Sequence, residues 1–388
     1  MPAIKALGSN LYVQVLAIAL VSRAVITLAM WYTLRSIPSM DLIDGTGPVN
    51  KAPADPWIGG WTLWDSAMYA EIAQFGYGPD DGVPRIIRGF FPLYPLVMRG
   101  FVALTPLPAN LEGYAKSGPW VSQIAFLIAV ILFARLVARL HDASIARTAC
   151  LLLCISPLSF FFSAGYSESL FLLFVIAAFW FALDERWVLA AVMIALAAST
   201  RVFGLFLVPA ILLIAWRRRA SLPNMLAICL ISPVGVLGFF LYFWYRYDNF
   251  FLYFDTQNHF WAGWHHKVGQ FIDTILSEPS LMINDLERFK ALLNLGLGLV
   301  WLVLLVWVWK NVDPGIALFS TLFVTFHLAY TWHSLGRYML PAIGVYIAGA
   351  ILLERPGLNT WVRESVIVVS AVLLAMFTML HTHGIGIV

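Results

Sequence analysis

The chain has 388 residues, of which 61% are hydrophobic and only 12% are charged. Soluble globular domains are about 45–50% apolar and about 25% charged, so this composition excludes an ordinary soluble fold and indicates a chain surrounded by lipid. The net charge of +3 arises from short basic clusters at the ends of apolar segments, which favours membrane topology over nucleic-acid binding. Cys150, Cys154 and Cys229 all lie within apolar segments, so neither a disulfide framework nor a zinc site is expected.

Apolar segments that could cross a bilayer recur along the whole sequence. A spanning helix needs about 20 predominantly apolar residues, and eleven segments come close to this length or reach it. The sequence therefore predicts an all-α polytopic membrane protein that forms one integral membrane domain over residues 1–388. The predicted spans are 11–34, 118–140, 147–164, 168–184, 187–201, 202–216, 224–247, 291–309, 314–332, 338–353 and 365–382.

Basic residues in the short connections predict the orientation of these spans. Cytoplasmic loops are enriched in lysine and arginine, and counting spans puts every basic connection on the same side as Lys5. We therefore expect a cytoplasmic N-terminus and a C-terminus on the outer side. No small-residue cleavage site follows the first apolar segment, so we expect an uncleaved helix there. The basic residues concerned are Arg135, Arg139, Arg147, Arg186, Arg217, Arg218, Arg219, Lys310, Arg355 and Arg363.

Two long loops then fall on the outer side, at residues 35–117 and 248–290. Loops longer than about 15 residues are usually functional. In the first loop, an apolar stripe recurs at helical spacing and consists of Trp64, Met68, Ile72 and Phe75. Asp65 and Tyr69 lie on a neighbouring face. This pattern predicts an amphipathic helix that lies at the outer membrane interface.

Polar residues converge on the same outer side. Ionisable groups within or beside apolar spans are costly and usually functional. Simpler interpretations are open for each of them. Arg201 and Arg337 could anchor helix ends at the interface, Glu168 and Asp65 could cap helices, and the loop histidines could be interfacial. The residues that converge are Asp65, Arg88, Glu168, Arg201, Gln257, Asn258, His259, His265, His266, His333 and Arg337.

Four stretches of the sequence carry a resemblance to a known family. They are 64-WDSAMYAEIAQFGYG-78 followed by 90-FFPLYP-95, then 156-SPLSFFFSAGYSESLF-171, the element TRVFG that contains Arg201, and 334-SLGRYMLP-341. In type and order they resemble the PIG-V-type mannosyltransferases of the GT-C superfamily. Met68 stands where members of that family often carry a histidine, and the stretch between Gly76 and Phe90 is longer than in the eukaryotic members.

The resemblance implies a GT-C-like bundle of about eleven transmembrane helices and an inverting transfer of mannose. The donor would be a polyprenyl (dolichyl-type) phosphate sugar, and the acceptor a lipid-linked or membrane-proximal hydroxyl. Asp65 would act as the general base, and Arg201, Arg337 and then Arg88 would bind the donor phosphate. No metal is required, although the acids of the first loop, among them Asp41, Asp44 and Asp55, are compatible with a divalent ion. The substrate-binding residues would be Trp64, Tyr69, Tyr94, Tyr166, Glu168, Gln257, His259 and Tyr338.

Two other classes of protein share some of these features. A secondary transporter also carries charges within the membrane, but near the bilayer midplane and between related halves, whereas here the polar residues collect on one side. In a non-catalytic assembly subunit, the polar groups would only satisfy one another. The compact length is typical of bacterial and archaeal relatives, which predicts a multi-pass protein of a prokaryotic plasma membrane with its active site on the extracytoplasmic side.

Overall fold

The computed structural model describes residues 2–36, 57–261, 286–330 and 334–382. Within these ranges the chain forms α-helices, short 3₁₀ helices and loops, and no strand, so the predicted all-α class is confirmed. The α-helices are α1 (Pro2–Ser36), α2 (Asp65–Phe75), α3 (Leu93–Ala103), α4 (Leu111–Leu140), α5 (Ala143–Ile155), α6 (Glu168–Leu183), α7 (Trp187–Thr200), α8 (Leu207–Arg217), α9 (Leu222–Ile231), α10 (Val234–Tyr247), α11 (Leu252–Trp261), α12 (Leu286–Asn311), α13 (Pro314–Tyr330), α14 (Leu335–Met339), α15 (Ile343–Leu353) and α16 (Thr360–Thr382).

Five apolar helical stretches are long enough to cross a membrane by length and composition. The other predicted spans correspond to shorter apolar helices, so the number of eleven spans stays a prediction, while the multi-pass membrane character is clear. The long stretches are Asn10–Ser36, Leu111–Leu140, Leu222–Tyr247, Leu292–Asn311 and Thr360–Thr382.

Proline divides several segments that we predicted as single spans. The segment 224–247 consists of α9 and α10, which meet at Ser232 and Pro233. The segment 338–353 is likewise divided near Pro341, where α14 ends and α15 begins. Proline lacks the backbone donor and clashes with the preceding helical turn, so each helix ends at or before it.

In its described part, the predicted first outer loop contains the short helices α2 and α3, and α2 covers the segment that we predicted as an amphipathic helix. Helix α2 begins at Asp65, and Trp64 precedes it with φ +58°. Its buried face includes Tyr69 and also Ile72 of the predicted stripe, whereas Phe75, at the end of that stripe, is 64% exposed. The helix buries this face because it packs against α3 and α4 rather than against lipid alone.

A glycine allows the close packing of α2 against the turn before α6. A Cβ atom on Gly165 would lie 2.1 Å from the Ser66 Oγ atom, so a larger residue would have to displace the Ser66 side chain. This contact brings the start of α2 beside the start of α6. Asp65 and Glu168, the first residues of the two helices, are therefore neighbours in space although they are far apart in sequence.

Arg23 joins α1 to the same turn. Its guanidinium is buried within the first span and donates to the Cys154 carbonyl at 2.7 Å and to the Ser159 carbonyl at 2.7 Å. It also lies 4.7 Å from the centre of the Phe126 ring. A cation at the carboxyl end of a helix satisfies carbonyls that have no partner within that helix. Arg23 therefore stabilises the end of α5 and the turn that leads to Glu168.

Candidate active site

A cavity of about 250 Å³ lies where α2, α11, α13 and α14 meet the segment that follows α7. It is lined by residues from parts of the chain that are distant in sequence, and it includes six of the predicted site residues. The lining residues are Asp65, Tyr69, Gly89, Phe90, Phe91, Thr200, Arg201, Val202, Phe203, Tyr253, Phe254, Gln257, Asn258, Trp261, Phe326, His327, Ser334, Arg337 and Tyr338.

Four charged side chains form a connected cluster at this cavity. The Glu168 Oε1 atom accepts from Arg201 Nη1 at 2.7 Å and also from Arg337 Nε. The Arg337 Nη2 atom donates to Asp65 Oδ2 at 2.7 Å. Two carboxylates thus face two guanidinium groups, and the cluster is neutral when all four are ionised.

Exposure differs strongly within this cluster. The Glu168 side chain is 1% exposed, whereas that of Asp65 is 31% exposed. Arg337 and Arg201 are intermediate, with side chains 8% and 13% exposed. Glu168 therefore lies behind the two arginines as their shared counter-ion, while Asp65 is the carboxylate that a molecule in the cavity can reach.

The simpler interpretations of these residues do not fit this geometry. An arginine that anchors a helix at the membrane surface extends its charged end into water. Here the Arg337 side chain is buried, the Arg201 side chain is only 13% exposed, and both pair with Glu168. Asp65 and Glu168 do begin helices, where a negative charge is favourable. Neither side chain makes a capping hydrogen bond, and both point to arginine instead.

Aromatic rings support the guanidinium groups. The Arg337 guanidinium lies 4.4 Å from the centre of the Tyr166 ring, and that of Arg201 lies 5.1 Å from the Tyr338 ring. Such cation–π contacts stabilise a desolvated cation and restrict its rotamers. Tyr166 is itself buried and does not line the cavity, so it contacts Arg337 rather than the space where a ligand would bind.

Two further tyrosines hold α2 and α3 in place. Burial raises the pKa of the Tyr69 phenol above its ordinary value, so the group stays protonated and donates to Ser167 Oγ at 2.9 Å. Tyr94 donates to the Gly118 carbonyl at 2.8 Å and packs edge-on against Tyr69, with ring centres 4.8 Å apart. Tyr69 lines the cavity, whereas Tyr94 is behind it.

One face of α11 forms the opposite wall. Gln257 lines the cavity and donates to the Gly89 carbonyl at 3.1 Å. His259, which we predicted as a substrate-binding residue, is exposed on another face and does not line the cavity. The helical spacing of Phe254, Asn258 and Trp261 was visible in the sequence and would have selected this face.

Arg88 and Trp64 also lie outside the cavity lining. The Arg88 guanidinium is buried and donates to the backbone carbonyls of Pro79, at 2.6 Å, and Val83, at 3.3 Å, and it packs 4.4 Å from the Tyr247 ring. These contacts make Arg88 part of the framework of the loop. Trp64 is half-buried before α2 and packs against the hydrophobic core.

Some predicted site residues lie outside the described ranges, and two residues that line the cavity were not predicted from the sequence. Asp41, Asp44, Asp55, His265, His266 and His333 fall in the ranges that the structure does not describe. Among the residues it does describe, no three His, Cys, Asp or Glu side chains come together as metal ligands. His327 and Ser334 line the cavity but were assigned to a span and a connection, because helical periodicity alone does not reveal which face of a buried helix meets a cavity.

Known proteins resemble this chain in sequence and in fold. The family profile described as Mannosyltransferase (PIG-V) matches residues 13–262. The mouse protein named GPI alpha-1,6-mannosyltransferase 2 is 32% identical over 153 residues, which cover 38% of this chain and 30% of the mouse protein. The rat protein of the same name is 29% identical over 197 residues, or 48% of this chain and 39% of the rat protein. The matches therefore span only about a third of the length of these curated relatives.

The crystal structure of ArnT from Cupriavidus metallidurans bound to undecaprenyl phosphate is similar in fold, with a TM-score of 0.53 at 14% identity over 96% of this chain and 76% of ArnT. The all-helical architecture of this chain is thus similar to that of ArnT. Because the family profile covers more than half of its residues, the chain belongs to the PIG-V mannosyltransferase family.

Proposed function

We propose that this protein transfers mannose from a polyprenyl-phosphate donor to a lipid-linked or membrane-proximal acceptor, on the extracytoplasmic side of a prokaryotic plasma membrane. The observation that carries the proposal is the cavity in which a reachable carboxylate, Asp65, meets two buried arginines, Arg201 and Arg337. Family membership supports mannose as the sugar, and the undecaprenyl phosphate bound by ArnT supports a polyprenyl-phosphate donor.

The reaction requires one group that accepts a proton and positive charge that compensates the negative charge of the leaving group. The acceptor oxygen forms a bond to the anomeric carbon of mannose while the bond from that carbon to the phosphate oxygen breaks. The proton of the acceptor hydroxyl moves to the Asp65 carboxylate, and the polyprenyl phosphate leaves with the bonding electron pair. A carboxylate positioned within hydrogen-bond reach of the acceptor can perform this step.

The charges of the four-residue cluster fit the movement of negative charge during this reaction. Negative charge leaves Asp65 as the carboxylate is protonated, and the same charge appears on the departing phosphate. Arg337 donates to Asp65 before the reaction, and this bond weakens once the carboxylate is neutral. The guanidinium is then free to compensate the phosphate, together with Arg201, in a site with little water.

Glu168 and Tyr166 would then act as positioning residues rather than sugar ligands. Glu168 holds both arginines through a single oxygen, and Tyr166 supports one of them from behind. Tyr69, Gln257 and Tyr338 line the cavity and are the members of the predicted substrate-binding set that remain available to a sugar. Since the two guanidinium groups supply the positive charge, the proposal requires no metal ion.

A transfer assay in detergent tests this function. Purified protein would be incubated with radiolabelled polyprenyl-phosphate mannose and a lipid extract of the source membrane, and the label would be followed into new glycolipid. Asp65→Asn keeps the shape of the side chain but cannot take up the proton, so the rate should fall by about 10²–10⁴-fold. Asp81→Asn is the matched control, because Asp81 lies in the same loop and pairs with Arg85 away from the cavity.

The proposal fails if wild-type protein transfers no label, and the base assignment fails if folded Asp65→Asn protein is as active as Asp81→Asn. A transporter would move the sugar donor across a vesicle membrane without forming a new glycosidic bond, so it would give label uptake and no labelled product.

A further inference from the structure

His327 is a buried histidine that lines the cavity and was not part of the predicted site. Its side chain lies near the end of α13 and is 0% exposed. The Nδ1 atom is 2.6 Å from the Phe323 carbonyl oxygen, which can only accept, so Nδ1 carries a proton. In the neutral ring with the proton on Nδ1, the Nε2 atom is an acceptor with a free lone pair.

The Nε2 atom has no hydrogen-bond partner among the residues that the structure describes. The ring is also prevented from turning towards one. It packs against Phe203, with ring centres 4.5 Å apart, against Phe323 at 4.7 Å, and in a stack with Tyr338 at 5.4 Å. An unpaired buried acceptor is costly and uncommon, so this fixed lone pair requires an explanation.

The position of His327 indicates which part of a substrate it meets. The Tyr338 ring lies between His327 and Arg201: it stacks on the His327 ring, and the Arg201 guanidinium lies 5.1 Å from its centre. His327 is therefore on the side of the cavity where the proposed function puts the donor phosphate. The transferred sugar is bonded directly to that phosphate and must lie beside it.

We infer that His327 Nε2 accepts a hydrogen bond from one hydroxyl of the transferred sugar and thereby selects the sugar. The inference rests on the proposed function. Sugar hydroxyls need acceptors, whereas Arg201 and Arg337 can only donate, and Asp65 is engaged by Arg337. An acceptor held at a fixed position discriminates strongly against a sugar that lacks the matching hydroxyl, because the polar atom is then left unpaired.

The chain offers a matched control histidine. His381 is 3% exposed, its Nε2 atom likewise has no partner among the described residues, and its ring packs against Phe160 with centres 5.0 Å apart. His381 does not line the cavity. The two histidines thus share burial and an unpaired nitrogen, and they differ in that His327 lines the cavity and His381 does not.

Direct measurements of donor binding test the inference without requiring the substrate that receives the sugar. The affinity of purified protein for polyprenyl-phosphate mannose would be compared with its affinity for analogues in which each sugar hydroxyl in turn is replaced by fluorine. Fluorine cannot donate a hydrogen bond. Wild-type protein and His381→Phe should both bind one analogue about 10- to 100-fold more weakly than the parent donor. His327→Phe should bind that analogue and the parent donor equally well.

The outcomes separate this inference from the function on which it rests. If wild-type protein binds none of the donors, the proposed function is overturned and the inference with it. If wild-type protein binds the parent donor, but His327→Phe shows the same preference among the analogues as wild type, the inference alone is overturned. A His381→Phe variant that loses the preference in the same way as His327→Phe would also overturn it, since the effect would then not depend on contact with the ligand.

Discussion

Replacing Glu168 with glutamine should both destabilise the protein and impair transfer. The variant Glu168→Gln keeps the shape of the side chain and one acceptor oxygen but removes a charge that is 1% exposed. Arg201 and Arg337, with side chains 13% and 8% exposed, would then share Asp65 as their remaining carboxylate in the cluster. Removing one partner of a buried ion pair costs about 3–5 kcal/mol, and the retained hydrogen bond favours the lower end of that range.

Thermal unfolding in detergent and the transfer assay measure the two effects. We expect the Tm of Glu168→Gln to fall by about 5 °C, and the rate to fall by about 100-fold because the guanidinium groups lose their alignment. Glu185→Gln is the control, because Glu185 is 58% exposed and pairs with Arg218 at 3.1 Å. Exposed pairs contribute about 0–1 kcal/mol, so this control should change neither measurement appreciably. If Glu168→Gln behaves like Glu185→Gln in both assays, the two arginines do not depend on the shared carboxylate and the reasoning is refuted.

Four further predictions concern the cluster, the turn beneath it, the topology and metal dependence. Arg201→Ala and Arg337→Ala should each lower the turnover number by about 10²–10³-fold if they stabilise the leaving phosphate, and wild-type rates in both variants would contradict that role. Arg23→Met should lower the Tm, because the Cys154 and Ser159 carbonyls lose their buried donor; an unchanged Tm would contradict the role of Arg23 in holding the turn. After replacement of the native cysteines, Arg218→Cys and Gln257→Cys should react with an impermeant thiol reagent from opposite sides of the membrane, and labelling from one side would contradict the predicted orientation. Transfer should persist in EDTA, and its loss would show that a divalent ion takes part.

The helices show which features the local sequence encodes and which depend on tertiary packing. Long apolar segments such as the one in α4 predicted helices correctly, because apolar length and helical structure are both local properties. The break between α9 and α10 was also encoded locally, by Pro233, but an apolar run on both sides hid it. The burial of α2 was not local, since it depends on the packing of α2 against α3 and α4.

The candidate site shows the same contrast for single side chains: the sequence selects candidates, and the tertiary structure decides which of them reach the cavity. Residue type and the resemblance selected Asp65, Arg201 and Arg337, and the structure brings all three to one cavity. The same criteria also selected His259, which faces away, and Arg88, which holds the loop. Residue type alone cannot separate these cases, because an arginine that binds carbonyls and an arginine that binds a carboxylate look alike in sequence.

By itself, the sequence determined the membrane class and the position of most helices, because composition and periodicity act over short stretches of chain. It also supplied the polar residues from which the cavity is built, but not how they pair. Only the tertiary structure decided which of these polar residues form ion pairs with one another. Arg337 reaches Glu168 across 169 positions of the chain and Asp65 across 272. It also decided that His327 meets the cavity, since the direction of a side chain from a buried helix depends on the helices packed around it.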